Sequence, residues 1–348
     1  MTLLSAVLFS SFIAQAPPAP PQTQPVPTPK AAPAKQAKGA PASQAKPATD
    51  VLALQVALDR AGFSPGVIDG KSGTGTKKAL EAHRQANGGE PQMAEPTMKY
   101  RITDADVAGP FEPQMPRELP DQAKLPALTY KTLLEALAER FHSTPAFLQR
   151  TNPGAKFGAG EEITVPNVEP MVLPASRGAK TDAAAKADPS AKPDPAAKPE
   201  AASKPAAAAK PAAVVVTVTK SSHSMSVTDP DGKVLMYAPV TTGSAHDPLP
   251  IGEWKVNGVA LNPTFRYNPK LFWDADPTHT GALLKAGPNN PVGLVWVDIS
   301  KEHYGLHGTP EPSTVGKTAS HGCVRLTNWD ALKLAGLVKP GTKVVFKP

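Results

Sequence analysis

Apolar residues return at two different periods along this chain, separated by long stretches that show neither. Val51, Leu52, Leu54, Val56 and Leu58 come round at helical spacing behind Thr49-Asp50, and the spacing predicts a helix over about 51 to 61 that stops at Gly62. Turns at Phe63-Ser64-Pro65-Gly66 and Asp69-Gly70 lead to a second helix, Thr76 to about Gln85, with Ala79 and Leu80 facing inward. Leu133, Leu134, Leu137, Ala138 and Phe141 repeat at three- and four-residue intervals and predict an amphipathic helix ending near His142. Pro145 suits the first turn of another helix, bearing Phe147 and Leu148 and stopping before Asn152-Pro153-Gly154. A strand at Glu162 to Val165 follows.

From Val214 the apolar and polar pattern changes to the period of two that strands require. Val214 to Thr219 is a β-branched run, Ser224 to Thr228 a second strand, and Asp229-Pro230-Asp231-Gly232 turns the chain into a third at Lys233 to Val240. Further strands are expected at Gly252 to Val259, Val292 to Ile299 and Gly341 to Phe346. One helix is expected here, capped by Asn328 and running through Trp329, Ala331, Leu332 and Leu334 to about Gly336. These elements predict a mainly antiparallel β-sandwich or open barrel of about 135 residues.

Composition separates these patterned regions. Forty-two prolines and only 5% aromatic residues exclude one continuous core across 348 residues. Residues 17–49 are nearly all Pro, Ala, Gln, Lys and Thr, and read as a disordered linker. Residues 170–212 carry Lys180, Lys186, Lys192, Lys198, Lys204 and Lys210 at every sixth position, but only Ala is available to face inward and Pro interrupts the run. That excludes a stacked β-helix and leaves a polyproline-like spacer able to hold its flanks up to ~130 Å apart. The +7 net charge owes much to these two connectors; no basic stripe interleaved with aromatics indicates nucleic acid, and an anionic cell envelope is the expected partner. Leu3 to Ile13 followed by Ala14-Gln15-Ala16 reads as a signal peptide over 1–16, although no Lys or Arg precedes Leu3, and a cytoplasmic chain with an apolar tail is the alternative. No later stretch is apolar for long enough to span a membrane.

The candidate chemistry lies near the C-terminus. Cys323, the only cysteine, sits in Ser320-His321-Gly322-Cys323-Val324-Arg325, and His307 lies sixteen residues upstream. In an exported protein a single thiol has no partner for an internal disulfide, so a cysteine nucleophile with an imidazole to accept its proton is the first reading. An alternative is a zinc site built from His303, His307, His321 and Cys323, opposed by the lack of paired cysteines. Another is a noncatalytic wall-binding scaffold.

Three resemblances follow from these residues. Leu54-Gln55, Gly62-Phe63, Asp69-Gly70, Gly73-x-x-Thr76 and Ala79-Leu80 resemble the peptidoglycan-binding-like helical domain, placed at 50–110, with His83-Arg84 departing from the usual Phe-Gln. Helix, helix, Asn-Pro turn and strand over 125–168 resemble the LysM module, whose opening strand would fall at Leu125 to Tyr130. His307-Gly308-Thr309, then Ser320-His321-Gly322-Cys323, with Thr242-Gly243, Pro250-Ile251-Gly252-Glu253-Trp254 and Asn290-Pro291-Val292-Gly293 in order, resemble the L,D-transpeptidase (YkuD-type) catalytic domain over 213–348.

That last resemblance implies acyl transfer on peptidoglycan, with no cofactor and no metal. Cys323 would be the nucleophile and His307 the base, its tautomer set by the Gly308 carbonyl; the Gly322 and Cys323 amides would hold the oxyanion. Arg325 would bind a substrate carboxylate or brace the loop, and Ser320 would bind substrate or tie the loop. His321 would either tune the thiolate or orient the loop. Expected partners are peptidoglycan stem peptides and glycan strands in the periplasm or cell wall; water as acceptor would make it an L,D-carboxypeptidase, and a protein lysine and a free D-amino acid are further acceptors.

Overall fold

Asp50 accepts hydrogen bonds from the Leu52 and Ala53 amides at 2.9 and 3.3 Å and so starts α1 (Val51–Arg60), which buries Leu54, Val56 and Leu58. The computed structural model describes residues 50–174 and 213–348; the expected leader, the 17–49 linker and the spacer beyond residue 174 lie outside them. After α1, Gly62 takes a φ of +86° and turns the chain toward α2 (Thr74–Asn87), two residues longer at each end than the sequence pattern predicts. His83 fills the aromatic place: its ring stands edge-on to Phe63 at 5.0 Å, and Nδ1 lies 3.0 Å from the Gly89 carbonyl.

The second helical segment opens earlier than the sequence pattern suggests. Its first strand is β1 (Thr97–Arg101), followed by two single-turn helices, α3 (Asp104–Val107) and α4 (Leu119–Gln122), then α5 (Leu133–Arg140), α6 (Pro145–Thr151) and β2 (Glu162–Pro166). β1 pairs antiparallel with β2 from Thr97 opposite Pro166 to Arg101 opposite Glu162. The opening strand is therefore not Leu125 to Tyr130, and residues 97–101 do not belong with the 50–110 helices. Leu128 is occupied elsewhere: its amide donates to the Ala286 carbonyl at 3.0 Å, and its side chain is buried with Tyr267 and Leu284. Nor do the two helical segments keep separate cores, since Val56 and Ile68 pack with Leu137, Phe141, Phe147, Leu148, Ile163 and Val165.

The C-terminal part is β3 (Val215–Thr219), β4 (Ser224–Thr228), β5 (Val234–Pro239), β6 (Gly252–Leu261), β7 (Phe265–Tyr267), β8 (Ala282–Leu284), β9 (Val295–Ile299), β10 (Gly305–His307), β11 (Val324–Arg325), α7 (Asn328–Leu337) and β12 (Lys343–Lys347). Eight of the strands form one sheet in the order β11-β10-β9-β6-β12-β3-β4-β5, while β7 and β8 make a separate hairpin. The period of two sends Val216, Val218, Met225, Val227, Val297, Val344 and Phe346 into one core, covered by Trp329, Ala331 and Leu334 of α7. Pairing is antiparallel except for β3 with β12 and β10 with β11. Of the two expected forms, the sheet takes the curled one. The chain leaving β5 reaches the far edge, where Thr241 and Arg325 exchange backbone hydrogen bonds of 3.0 and 2.9 Å. The cap of α7 is Thr327, whose hydroxyl accepts from the Asp330 amide at 3.1 Å; the Asn328 expected there lies inside the helix with its side chain free for other partners.

Residues 50–174 pack directly on residues 213–348, as parts of one compact unit. Phe63 stacks on Tyr237 at 6.2 Å, His142 stacks on Trp329 at 5.1 Å, and the Ser64 hydroxyl donates to Asp330 at 3.0 Å. Met171, in the part of the spacer that is described, is buried in the core of the C-terminal sheet. Separation of the flanks by an extended spacer is thus overturned. Each stretch carries apolar surface that only the other covers, while the entropy of closing a long tether grows slowly with its length. Cleavage at a protease site inserted near residue 190 will accordingly leave the two halves eluting together in size-exclusion chromatography; two separate peaks at micromolar concentration would refute the shared interface.

Candidate active site

The register of β10 against β11 brings the predicted residues together. Leu306 lies opposite Val324 and His307 opposite Arg325 in this parallel pair, so Leu306 and Val324 share the core face. His307 and Arg325 share the other face, and continuing the register by one residue sets Cys323 beside Gly305 on that face. Only glycine suits position 305: a Cβ there would come within 2.6 Å of the Trp296 ring, and that same ring stacks on His307 at 5.5 Å. The strand pair is held by closure of the sheet, since Ser320 donates its amide to the Thr242 carbonyl at 3.2 Å and its hydroxyl to the Cys323 carbonyl at 2.6 Å. Ser320 therefore braces the loop.

Burial sets the charge state of the pair. The Cys323 thiol is pushed up to about 11, chiefly by desolvation, against the opposing pull of the Gly305 amide and the Arg325 charge; its sulfur lies 3.7 Å from the His303 carbonyl. His307 is buried and pushed down to about 4, first by desolvation and then by Arg325, although the Gly308 carbonyl works in the other direction. A carbonyl only accepts, so at 2.7 Å from Gly308 the His307 Nδ1 carries the proton and Nε2 is left as the acceptor. At neutral pH these shifts favour a protonated thiol and a neutral imidazole, a pair in which the imidazole can still accept the thiol's proton during attack.

The surrounding groups divide between bracing and availability. Gly322 takes a φ of +102° and lies so near Tyr304 that a Cβ would stand 2.6 Å from its ring, which makes glycine obligatory there. Among the described residues nothing accepts a hydrogen bond from the Gly322 or Cys323 amide. The Arg325 guanidinium makes no hydrogen bond to another described residue and interacts electrostatically with Cys323 and Glu311. His321 turns the other way: its Nε2 pairs with Asp274 at 2.7 Å and its ring meets Phe272 edge-on at 5.0 Å, so it ties the reactive loop to the segment between β7 and β8. That contact is the kind an orienting role requires. The His303 ring is exposed beside Glu302. Among the described residues, no group of three or more His, Cys, Asp or Glu side chains is arranged to hold a metal ion.

Several contributors carry no sequence signal. Trp296 and Gly305 reveal themselves only through ring-to-backbone contact, and Asp274 lies 47 residues from the histidine it pairs with. Asn328 is read as a cap from its position, yet its side-chain oxygen accepts from the Leu294 amide at 2.9 Å and fills the slot where a Cβ on Gly293 or Gly308 would sit.

A thiol, a neutral imidazole and two unpaired amides on the rim of a curled sheet define a cysteine acyl-transfer type of site. Residues 213–346 match the family model described as the "L,D-transpeptidase catalytic domain", and residues 47–91 match that of a "Putative peptidoglycan binding domain". A stretch of 136 residues is 30% identical to the "Putative L,D-transpeptidase YqjB" of Bacillus subtilis, covering 38% of this chain and 69% of that relative. The "Putative L,D-transpeptidase YkuD" of Bacillus licheniformis is 49% identical over 61 residues, 18% of this chain and 37% of its own length. An L,D-transpeptidase from Mycobacterium smegmatis is similar in structure over 39% of this chain and 59% of that one, at 20% identity and a TM-score of 0.32. The chain belongs to the L,D-transpeptidase family, and its match spans little more than a third of the Bacillus licheniformis relative.

The raised thiol predicts that alkylation of Cys323 by iodoacetamide at pH 7 will run at least roughly tenfold slower than that of an unstructured cysteine peptide, climbing with pH toward about 11. A rate already level below pH 8 would contradict the protonated resting state. For His307 the folded value lies below the unfolded one, so the unfolded chain binds the proton first. Its contribution of roughly 3 kcal/mol is complete above about pH 6.5 and disappears as pH falls toward about 4. Urea unfolding across that window, compared with His307→Gln, measures it as a shrinking wild-type advantage.

Proposed function

We propose that this protein is a cysteine L,D-transpeptidase that acts on peptidoglycan stem peptides outside the cytoplasm. The observation that carries the reading is the neutral thiol and imidazole on one face of β10 and β11, beside amides with no partner among the described residues. Cys323 Sγ attacks the carbonyl of the L-centre that precedes a terminal D-alanine, and its proton passes to Nε2 of His307 as the C–S bond forms. Coupling the two events avoids a free thiolate, which the buried site disfavours. The Gly322 and Cys323 amides stabilise the oxyanion. Collapse of the tetrahedral intermediate breaks the C–N bond; D-alanine leaves with the proton held by His307, and a thioester remains.

The amine of a neighbouring stem peptide then attacks the thioester, gives a proton back to His307 and leaves as the amide of a 3→3 cross-link, with the thiol restored. Arg325, whose guanidinium makes no hydrogen bond among the described residues, binds the substrate carboxylate. The peptidoglycan-binding match at 47–91 supports retention on the wall, and the antiparallel pairing of β1 with β2 around α5 and α6 supports a LysM-like contribution to glycan contact. A wall substrate also supports export to the periplasm or cell wall through the 1–16 signal peptide. Among the described residues no helix is long and apolar enough to cross a membrane.

Incubation with a disaccharide tetrapeptide, read by mass, will yield the cross-linked dimer with release of D-alanine. Tripeptide alone would make the enzyme a carboxypeptidase, and unchanged substrate would leave only the scaffold. Cys323→Ala will abolish turnover with the fold intact, and His307→Ala will lower kcat by at least about a hundredfold. A His307→Ala variant close to wild-type rate would remove the base from that residue.

A further inference from the structure

Glu139 belongs to α5, in the helical part of the chain, yet it is one of the most deeply placed carboxylates of the molecule. It is 6% exposed, and its Oε1 accepts from Nδ2 of Asn328 at 2.9 Å across the junction with the catalytic domain. The opposite end of that amide holds the active site together. Asn328 Oδ1 accepts from the Leu294 amide at 2.9 Å and lies against the backbone of Gly293 and Gly308 so closely that neither position has room for a side chain. Gly308 is in turn held by its amide on the Val295 carbonyl at 3.2 Å, and its own carbonyl receives the His307 Nδ1 proton at 2.7 Å. An unbroken run of contacts thus leads from Glu139 through Asn328 and Gly308 to the imidazole.

Orientation of the Asn328 amide is the crux. The group presents oxygen to Leu294 and nitrogen to Glu139 and, at 3.2 Å, to the Pro288 carbonyl. Reversed, it would set an NH2 against the Leu294 N–H and an oxygen against a carboxylate and a carbonyl. The Leu294 N–H and the Pro288 carbonyl make that reversal unfavourable, because it would set buried donor against donor and acceptor against acceptor, and Glu139 adds a second acceptor on the nitrogen side. Burial pushes Glu139 up to about 7, so keeping an acid here works against the fold, as it would not for an apolar residue of similar size.

We propose that Glu139 is a positioning residue for the acyl-transfer reaction: through Asn328 it fixes the Gly308 carbonyl and thereby the tautomer of His307, so that the helical part of the chain completes the active site as well as contacting the wall. The inference rests on the function proposed above. It also accounts for the direct packing of α5 on α7, which retention on the wall alone does not require.

The test uses the full chain with Glu139→Gln and Glu139→Leu, reading the rate of Cys323 acylation by a carbapenem by mass spectrometry and the His307 ring by two-bond 1H–15N correlation, with His307→Gln to assign the signal. Gln keeps an acceptor for Asn328, so its acylation rate stays within threefold of wild type and its ring stays in the single Nδ1-protonated form. Leu removes the Glu139 acceptor and leaves Asn328 Nδ2 only the Pro288 carbonyl, so acylation falls at least tenfold and the ring spectrum shows a tautomer mixture. A Leu variant that retains the single tautomer overturns the proposal whatever its rate, as does a Gln variant that loses the tautomer as fully as Leu does. A wild-type chain that the carbapenem does not acylate would count against the proposed reaction instead, and the ring spectra would still decide the role of Glu139.

Discussion

The two-residue parallel pairing of β10 with β11 is the constraint on which the site depends. It is among the shortest ladders in the sheet, yet it places His307, Arg325 and Cys323 on one face. Such a ladder cannot supply its own stability, and the fold supports it from both sides. β9 pairs with β10 through Gly305 to His307, while the chain after β5 closes onto Arg325 and Ser320. Curling of the sheet is thus what turns a marginal strand pair into a fixed platform.

Glycine enters this platform for steric reasons that differ from place to place. Gly322 is needed for its left-handed φ and for the Tyr304 ring beside it, whereas Gly305 and Gly308 have ordinary backbone and are needed because Trp296 and Asn328 occupy the space of a side chain. Close approach of backbone to ring and amide also dries the site. Desolvation explains why the thiol stays protonated and the imidazole neutral: it is the largest influence on both, outweighing Arg325 on the thiol and reinforced by Arg325 on the imidazole. A neutral pair stores no ion pair that a substrate would have to disrupt, and charge appears only as the acyl carbonyl is attacked.

The junction between the helical and sheet parts combines two kinds of contact. Phe63 with Tyr237 and His142 with Trp329 bury ring surface, which supplies non-directional affinity. Ser64 with Asp330 and Glu139 with Asn328 are buried polar pairs, which fix one relative placement out of the many that ring packing alone would allow. Both polar pairs end on the first turn of α7, directly behind the strand pair that carries the chemistry.

Much of the fold and the chemical centre was legible along the chain. Alternation of apolar residues located β3, β4, β5 and β12, helical spacing located α1, α5 and α6, and a lone cysteine with two nearby histidines marked the reactive loop, because these signals are local and need no knowledge of neighbours. The true partner of β2 was not legible, since a strand at 97–101 looks the same whichever strand it pairs with. The bond from Ser320 to the Cys323 carbonyl, the engagement of His321 with Asp274, and the use of Asn328 as a wedge also needed coordinates, because each depends on which group the fold brings within 3 Å. Charge state belongs to the same class. The sequence by itself determined which groups could react, while tertiary packing decided how dry they are, which proton sits where, and that the helical part stands behind the site, since desolvation and contact are properties of the assembled volume and have no period along a chain.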